Sequence, residues 1–347
     1  MITIKLNGRE LSVAEGKTIY EVCKDEGISI PTFCHDERLK PEGSCRICIV
    51  EIARGKLVPA CVHAVTEGID IQTHSPKVIK MRRTILELLI SNHDASCQSC
   101  EKAGDCLLQN YAYEYGIDLH RFAGEKRKPD YVFSNKFFYL NQSKCILCGK
   151  CARICSQLQG QNVWAMTNRG FETEINTPFG GDMEEGNCVS CGNCVSNCPV
   201  GALMPKTSDR FKAWEVTKHK TTCSYCGVGC QMYLLLKDNK VVGVEPAKNG
   251  VNHGLLCVKG KFAYHFINHP DRLKTPLIKK NGTFVEASWD EAYSRIKEKL
   301  LEIKSTHGAD SIGILASARM TNEENYLMQK FARAVIGTNN VDHCARL

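Results

Sequence analysis

Cysteine placement constrains this chain more than any other feature. Of 21 cysteines in 347 residues, all but Cys23 and Cys344 fall in short, regularly spaced runs. Two runs are near copies, Cys145-x2-Cys148-x2-Cys151-x3-Cys155 and Cys188-x2-Cys191-x2-Cys194-x3-Cys198-Pro199. A third is Cys34-x10-Cys45-x2-Cys48-x12-Cys61, and a fourth, His93-x3-Cys97-x2-Cys100-x5-Cys106, includes a histidine. The fifth is Cys223-x2-Cys226-x3-Cys230-x26-Cys257. Together these residues make five complete ligand sets for iron–sulfur clusters, so the chain handles single electrons. The spacings alone do not say what supplies or consumes those electrons.

The rest of the composition is ordinary. Hydrophobic content of 43% with 24% charge suits soluble globular domains, and the length suggests about two to four of them. The first residues, Met1 to Gly8, hold neither a basic n-region nor an apolar h-region. The best apolar run, Ile85 to Ile90, is broken by Glu87, so no membrane span is expected. Arg82-Arg83 sits mid-chain, where a twin-arginine export signal does not function. A reducing, cytoplasmic location is expected. The net charge of +7 counts every cysteine as a neutral thiol. Five oxidised clusters contribute about −9 and bring the holo-protein to about −2, so no nucleic-acid partner is expected. Lys126, Arg127 and Lys128 read as a solvated loop.

Residues 1–77 open with a hairpin, Ile2 to Leu6 and a second strand to Val13, around Asn7-Gly8. A helix capped by Thr18-x-x-Glu21 follows, and Cys23 is expected in the core. Three ligands near one loop and a distant fourth suit a [2Fe–2S] cluster, because the loop must wrap two irons. The long first interval of Cys34, Cys45, Cys48 and Cys61 resembles the ferredoxin-like domain of respiratory complex I and its relatives, a β-grasp fold. Zinc is the alternative, although zinc pairs usually come as two Cys-x2-Cys units. In residues 78–118, Val78 to Ile90 predicts an amphipathic helix with Val78, Met81, Ile85 and Leu89 on one side. It leads to His93, Cys97, Cys100 and Cys106, a pattern that again follows the complex I-like domain. That resemblance implies His93 as a [4Fe–4S] ligand, whose neutral imidazole makes the cluster less negative. A plain surface or core histidine is the alternative.

Residues 107–144 read as a polar, aromatic connector with a loop at 124–130. Within residues 137–208 the paired runs match the bacterial two-cluster ferredoxin, in which the fourth cysteine of each run serves the other cluster. The match implies one [4Fe–4S] centre on Cys145, Cys148, Cys151 and Cys198, and another on Cys188, Cys191, Cys194 and Cys155. The first run ends in Ser156 instead of proline, which changes the turn but no ligand. A 32-residue insert with Gly180-Gly181 at its tip separates the runs.

Residues 216–275 hold Cys223, Cys226, Cys230 and Cys257 around a hairpin, Met232 to Leu236 and Val241 to Val244, turning near Asp238-Asn239. By spacing alone a zinc ribbon competes with a [4Fe–4S] cluster here. The segment Cys257-Val258-Lys259-Gly260-Lys261-Phe262, then His269-Pro270-Asp271-Arg272-Leu273, resembles the start of molybdopterin-dependent oxidoreductases and favours the cluster. From 285 to 347 the texture is α/β. A helix capped by Ser288-x-x-Glu291 is expected to bury Trp289, Ala292, Ile296, Leu300 and Ile303 and to end at Gly308. Strand Ile312 to Ala316 follows, then a helix capped by Thr321-x-x-Glu324 with Leu327, Phe331 and Val335 on one side, ended by Gly337. The expected fold class is thus α+β multidomain. It comprises a β-grasp [2Fe–2S] ferredoxin, a helical module with a histidine-ligated [4Fe–4S] cluster, a two-[4Fe–4S] ferredoxin, a small β-rich [4Fe–4S] domain and an incomplete molybdopterin oxidoreductase α/β start.

The order of these modules is similar to the N-terminal part of the cytoplasmic formate dehydrogenase catalytic (alpha) subunit. The stretches that carry this most specifically are Ser317-Ala318-Arg319, Thr321 to Tyr326, and Gly337 to Leu347, which includes Cys344. The resemblance implies oxidation of formate to carbon dioxide at a Mo- or W-bound bis-molybdopterin guanine dinucleotide. It also places Lys259 between the last cluster and the pterin, and makes Arg319 and Asn325 pterin contacts. A surface lysine, and simple capping with solvation, are the alternatives for these three. The metal-ligating and acid/base groups are expected beyond Leu347, so no catalytic residue is assigned. No G-x-G-x-x-G after a strand and no P-loop is found, which puts any flavin or NAD site on a partner subunit, or makes the partner ferredoxin-type.

Three other readings compete. A complex I-type NADH dehydrogenase subunit shares the first two modules and a similar fifth but normally lacks the double-cluster ferredoxin. Iron-only hydrogenase shares the first four clusters but continues into its own cysteine motifs. A free-standing electron carrier would leave apolar surface exposed on the unfinished α/β unit. Intact mass separates carrier from enzyme: 38.7 kDa fits the carrier, and a much larger species with selenium, Mo or W fits the enzyme. In formate dehydrogenases the closing motif is followed at once by the cysteine or selenocysteine that binds the metal. Codon 348 is therefore expected to be UGA, with in-frame family sequence, starting with histidine, after it. Reading the genomic DNA checks this; a different stop codon with no downstream frame excludes it.

Overall fold

Asn7 and Gly8 take positive φ, 51° and 86°, and reverse the chain so that β1 (Ile2–Leu6) and β2 (Arg9–Val13) pair antiparallel. The structure is a computed structural model that describes residues 1–347 apart from 120, 123, 127–132, 178, 179, 184, 185, 208 and 344–347. Arg127, Lys128, most of the expected 124–130 loop and the Cys344 end of the closing stretch lie outside the described residues. The chain divides into two units, Met1–Thr217 and Lys218–Leu347. Among the described residues no helix is long and apolar enough to cross a membrane.

In the first unit α1 (Ile19–Asp25) starts at Thr18, whose hydroxyl accepts from the Glu21 amide while the Glu21 carboxylate accepts from the Thr18 amide at 2.7 Å. β3 (Ile49–Ile52), β4 (Lys56–Pro59) and β5 (Asp70–Gln72) complete a sheet of order β2-β1-β5-β3-β4, parallel only between β1 and β5. Ile19, Val22 and Cys23 of α1 pack with Ile4, Leu6, Val50, Val58 and Ile71. Cys23 is a core residue, and burial pushes its thiol up to about 11.

α2 (Pro76–Ser91) begins after the Ser75 cap with proline at its first position. Its buried side differs from the expected one. Val78, Arg82, Leu86 and Ile90 face inward together with Glu87, and Met81 is exposed. The two charged residues are buried because each has a partner. Arg82 donates to the Ile49 carbonyl at 2.8 Å and the Tyr115 hydroxyl at 3.0 Å, and Arg121 meets Glu87 at 2.7 Å. The stretch read as a connector is also structured. α3 (Leu107–Tyr115) starts at Cys106 and ends at Gly116 in a left-handed conformation. β6 (Phe133–Ser134) and β7 (Phe138–Leu140) then form a hairpin whose buried apolar residues are Phe133, Phe138 and Leu140, and Leu108 is buried on α3. α4 (Lys150–Arg153), the hairpin of β8 (Ala165–Thr167) and β9 (Glu174–Asn176), and α5 (Asn193–Asn197) follow, and β10 (Leu203–Pro205) returns to pair with β7.

In the second unit β11 (Thr217–Thr222), β12 (Gln231–Lys237) and β13 (Lys240–Pro246) form a sheet in that order. Asp238 and Asn239, at φ 50° and 60°, make the two-residue turn. α6 (Val258–Phe262) and the turn after it are tied to β13: Lys261 Nζ, Tyr264 Oη and Asn268 Nδ2 donate to the carbonyls of Val244, Val242 and Val241 at 2.6, 2.9 and 2.8 Å. β14 (Leu277–Lys280) and β15 (Thr283–Glu286) make a hairpin, followed by α7 (Trp289–His307), β16 (Ile314–Ala316), α8 (Asn322–Lys330) and β17 (Val341–His343). β16 and β17 pair in parallel. Ser288 and Thr321 cap α7 and α8. The expected burial along these helices is not found. Trp289 and Ile296 are exposed, and Ala292, Leu300 and Ile303 are half-buried. Leu327, Phe331 and Val335 are exposed, whereas Ala332 and Ile336 are buried. The two-stranded ladders offer these helices too little sheet to cover their apolar sides.

Replacing Arg82 with alanine leaves the buried Ile49 carbonyl and the Tyr115 hydroxyl without their donor, at a cost of about 3 kcal/mol. The expected readout is roughly hundredfold faster hydrogen exchange at the Leu86 to Ile90 amides. An unchanged rate would show that the guanidinium holds nothing there.

Candidate metal centres

The chain from Cys34 to Cys61 brings four thiols together in the first unit. Cys34, Cys48 and Cys61 are each 1% exposed and Cys45 is 9% exposed. The Cys48 and Cys61 sulfurs stand 3.4 Å apart. Hydrogen bonds from Cys45 and Cys61 push Cys34 down, and one from Cys61 lowers Cys48. The same bonds raise Cys45 and Cys61, and burial adds to the rise. Four thiols sharing protons in a dry site suit a cationic iron centre, which lets all of them ionise. His35, next in sequence to Cys34, carried no signal as a site residue. Its ring lies 4.2 Å from that of Tyr20, and both ring nitrogens are buried without a hydrogen-bond partner among the described residues.

The paired runs build two cavities. One is lined by Cys145, Cys148, Cys151 and Cys198 with Leu140, Ile146 and Ile175. The other is lined by Cys155, Cys188, Cys191 and Cys194 with Ile154, Val163 and Trp164. Each cavity therefore takes three cysteines from one run and one from the other, the partition that the ferredoxin resemblance implies. The local cause is the same in both runs. Gly149 and Gly192, at φ 69° and 71°, admit a left-handed turn into α4 and α5, and each short helix carries the third cysteine. Burial pushes Cys148 up to about 12 and raises Cys151 and Cys194 strongly, so these thiols ionise only against a compensating positive centre. The Val163 amide lies 3.3 Å from Cys155 Sγ, the Leu147 amide 3.4 Å from Cys145 Sγ, and Asn135 Nδ2 3.9 Å from Cys188 Sγ. Asn135 was not found by spacing. Its Oδ1 accepts from the Phe137 and Phe138 amides at 2.8 and 2.9 Å, and its Nδ2 donates to Ser190 Oγ at 3.2 Å with Cys188 Sγ farther off. Among the described residues no three His, Cys, Asp or Glu side chains close around a single-ion position.

His93 lies just beyond α2, 7% exposed, and Cys106 is 8% exposed at the start of α3. Cys97 and Cys100 are half-buried. Burial holds the imidazole below the ordinary histidine value, against the pull of Asp94, so the ring stays neutral. Its Nδ1 is buried and has no hydrogen-bond partner among the described residues, which fits a ligand role. This set adjoins the Cys145–Cys198 cavity. The Asp94 amide donates to the Ser143 carbonyl at 2.8 Å and the Leu107 amide to the Pro199 carbonyl at 3.0 Å. A Cβ placed on Gly201 would stand 2.7 Å from Cys100 Sγ. The first set meets the same cavity from another side, where Ser44 Oγ donates to the Cys148 carbonyl at 3.1 Å.

In the second unit the Cys223 amide donates to the Cys230 carbonyl at 2.8 Å, and Cys257 sits at the N-terminal end of α6. Cys223 is buried, Cys230 half-buried, and Cys226 and Cys257 exposed. Burial raises the Cys230 thiol, and the charges of Cys223, Cys226 and Cys257 raise it further, as expected of four neighbouring sulfurs. Lys259 is exposed on α6. Arg319 is exposed, and its amide donates to Ser317 Oγ at 3.1 Å. Asn325 Nδ2 is committed to the Ser317, Met320 and Thr321 carbonyls at 3.2, 3.4 and 3.0 Å, so it ties the turn ahead of α8. That turn lies beside the Cys226 loop, since a Cβ on Gly227 would stand 3.6 Å from the Ala318 carbonyl oxygen.

These sites coincide with family matches. A 2Fe-2S iron-sulfur cluster binding domain matches residues 1–76, the NADH-ubiquinone oxidoreductase-G iron-sulfur binding region 82–121, and a 4Fe-4S dicluster domain 144–202. The molybdopterin oxidoreductase Fe4S4 domain matches 216–269, and molybdopterin oxidoreductase matches 272–347. The whole chain is 36% identical to the NADPH-Fe(3+) oxidoreductase subunit alpha of Geobacter sulfurreducens and to the second G-type NADH-quinone oxidoreductase protein of Rhizobium meliloti. Over 99% of its length it is 30% identical to a Staphylococcus aureus protein that carries a provisional formate dehydrogenase name. The chain spans 39–40% of the length of these curated relatives. A solved chain of NAD+-reducing [NiFe]-hydrogenase in the H2-reduced state is similar over 60% of this chain and 88% of its own, at 30% identity and a TM-score of 0.55. The chain thus matches iron–sulfur domains described from NADH-ubiquinone oxidoreductase-G and molybdopterin oxidoreductase proteins, followed by part of a molybdopterin oxidoreductase domain.

Proposed function

We propose that this chain is the electron relay of a formate-oxidising molybdopterin enzyme. In this reading its cysteines and His93 hold one [2Fe–2S] and four [4Fe–4S] clusters, which carry electrons between a Mo or W bis-molybdopterin guanine dinucleotide site and a partner. The observation that carries the relay is the pair of apolar cavities, each closed by a cysteine from the other run. The buried all-sulfur set from Cys34 to Cys61 beside a mixed five-stranded sheet supports a β-grasp [2Fe–2S] domain. At the other end, the turn bearing Arg319 lies beside the Cys226 loop, and Lys259 follows Cys257 by two residues. That neighbourhood supports a pterin approach to the fifth set. The protein orients and tunes such a cofactor, whereas the bond chemistry is the cofactor's own.

Formate as the electron source is supported by the Ser317 to Leu347 stretch and by the Staphylococcus aureus relative. The whole-chain relatives at 36% identity favour a second reading, a nicotinamide-linked oxidoreductase delivering electrons to a quinone or to ferric iron. Similarity to a chain of an NAD+-reducing hydrogenase supports a flavin- or NAD-bearing electron partner in either case.

Native protein, isolated with any subunits it retains, should contain about 18 iron atoms per chain. Anaerobic formate should reduce its clusters, as read by electron paramagnetic resonance. Reduction by NADH or NADPH with no response to formate selects the second reading. Gly201→Ala, whose methyl would press on Cys100 Sγ, should remove about four irons and the signal of the His93 set while sparing the others. Full iron content in that variant would contradict the placement of Cys100 as a ligand.

A further inference from the structure

Arg153 lies between Cys151 and Cys155, which line different cavities, yet its side chain reaches toward the first cysteine set. The residue is 8% exposed. Its Nη2 donates to the Cys34 carbonyl, Nη1 donates to the Lys40 carbonyl at 3.1 Å, and Nε stands 2.9 Å from a Glu42 carboxylate oxygen. Other bonds join the same two regions. Ser44 Oγ donates to the Cys148 carbonyl at 3.1 Å, the Lys40 amide to Gln157 Oε1 at 3.1 Å, and Arg38 Nη2 to Asn197 Oδ1 at 2.7 Å. Arg38 is already paired with its own neighbour, Asp36, at 2.8 Å. The carboxylate that balances Arg153 is different, because the Glu42 side chain is 50% exposed and solvent screens it. A buried guanidinium with a solvent-screened counterion leaves positive charge between two thiolate-rich sites.

We propose that Arg153 is a positioning residue for electron exchange between the Cys34/Cys45/Cys48/Cys61 centre and the Cys145/Cys148/Cys151/Cys198 centre. Its planar fork holds the Cys34 and Lys40 carbonyls against α4, which fixes the separation of the two centres. Its charge stabilises the reduced form of each. In the exchange one electron leaves one centre as the other gains it, and no bond or proton changes place. This inference rests on the reading that both sets hold iron–sulfur clusters.

The test is a redox titration of the cluster-loaded protein followed by electron paramagnetic resonance, on wild type, Arg153→Met, Arg153→Lys and Glu42→Gln. Arg153→Met should make reduction of both centres about tenfold less favourable, about 59 mV for a one-electron couple. Glu42→Gln should shift both the opposite way. Arg153→Lys keeps the charge but not the fork, so it should hold the potentials near wild type while weakening the magnetic interaction between the two reduced centres. Unmoved potentials in Arg153→Met with full iron content, or shifts of one sign in Arg153→Met and Glu42→Gln, overturn the proposal. If Arg153→Met loses iron, the Glu42→Gln shift and the Arg153→Lys coupling decide it. Wild-type protein lacking the two cluster signals would overturn the cluster assignment itself, an outcome separate from any behaviour of the variants.

Discussion

Gathering many thiols into dry protein is the constraint on which this molecule depends. A buried thiol resists ionisation, and Cys148, Cys151 and Cys194 are all raised for that reason. Such groups are tolerated as neutral side chains, as at Cys23, or as thiolates around a positive metal centre. Cys23 packs with Val22 and Ile19 in an apolar core and has the first environment. The cysteines of the paired runs face one another across cavities and suit the second. The same element is thus used in two ways within one unit, and the difference lies in how many sulfurs share a space.

The scaffold around these sites is built from short pieces that need external ties. α4, α5 and α6 span four or five residues each, too few to be stable alone. Gly149 and Gly192 set the entry angle of the first two, and packed side chains do the rest. α6, which begins at Cys257, is held by the row of Lys261, Tyr264 and Asn268 against β13. In the first unit polar bonds cross the modules, from Ser44 to Cys148 and from Leu107 to Pro199, beside apolar contacts such as Phe33 with Tyr111. Hydrogen bonds of this kind fix distance and orientation tightly, which suits centres whose electron exchange depends on both.

The local elements were the most legible part of the sequence. The Thr18–Glu21 and Thr321–Glu324 boxes, the Asn7-Gly8 and Asp238-Asn239 turns and the cysteine spacing depend on residues within a few positions, so the chain displays them directly. What was missed depends on partners far away in sequence. The expected side of α2 held Val78, Met81, Ile85 and Leu89 and left out Arg82 and Glu87, because the groups that pair with them, at Ile49, Tyr115 and Arg121, lie far away in sequence. Lys261, Asn135 and Arg153 were invisible for the same reason, since a polar residue reads as surface unless its distant acceptor is known. The opposite error occurred on α7 and α8. Their apolar periodicity was real, but periodicity reports a preference for burial and does not supply the surface that satisfies it.

The near-identical runs end up in unequal surroundings, and this inequality is built by residues outside the repeat. The cavity of Cys145, Cys148, Cys151 and Cys198 is flanked by Ser44 and by Gly201, through which the first set and the His93 set approach. The cavity of Cys155, Cys188, Cys191 and Cys194 instead has the Asn135–Ser190 pair and Trp164 beside it, while each cavity has one amide directed at a sulfur, Leu147 at Cys145 and Val163 at Cys155. N–H groups aimed at cluster sulfurs and positive charges beside a cluster both favour its reduced form. A repeat by itself would give two equivalent stations with no preferred occupancy. Dressing each copy with different neighbours separates them, and the exchanged fourth cysteines keep the two stations in one folded piece while their environments diverge.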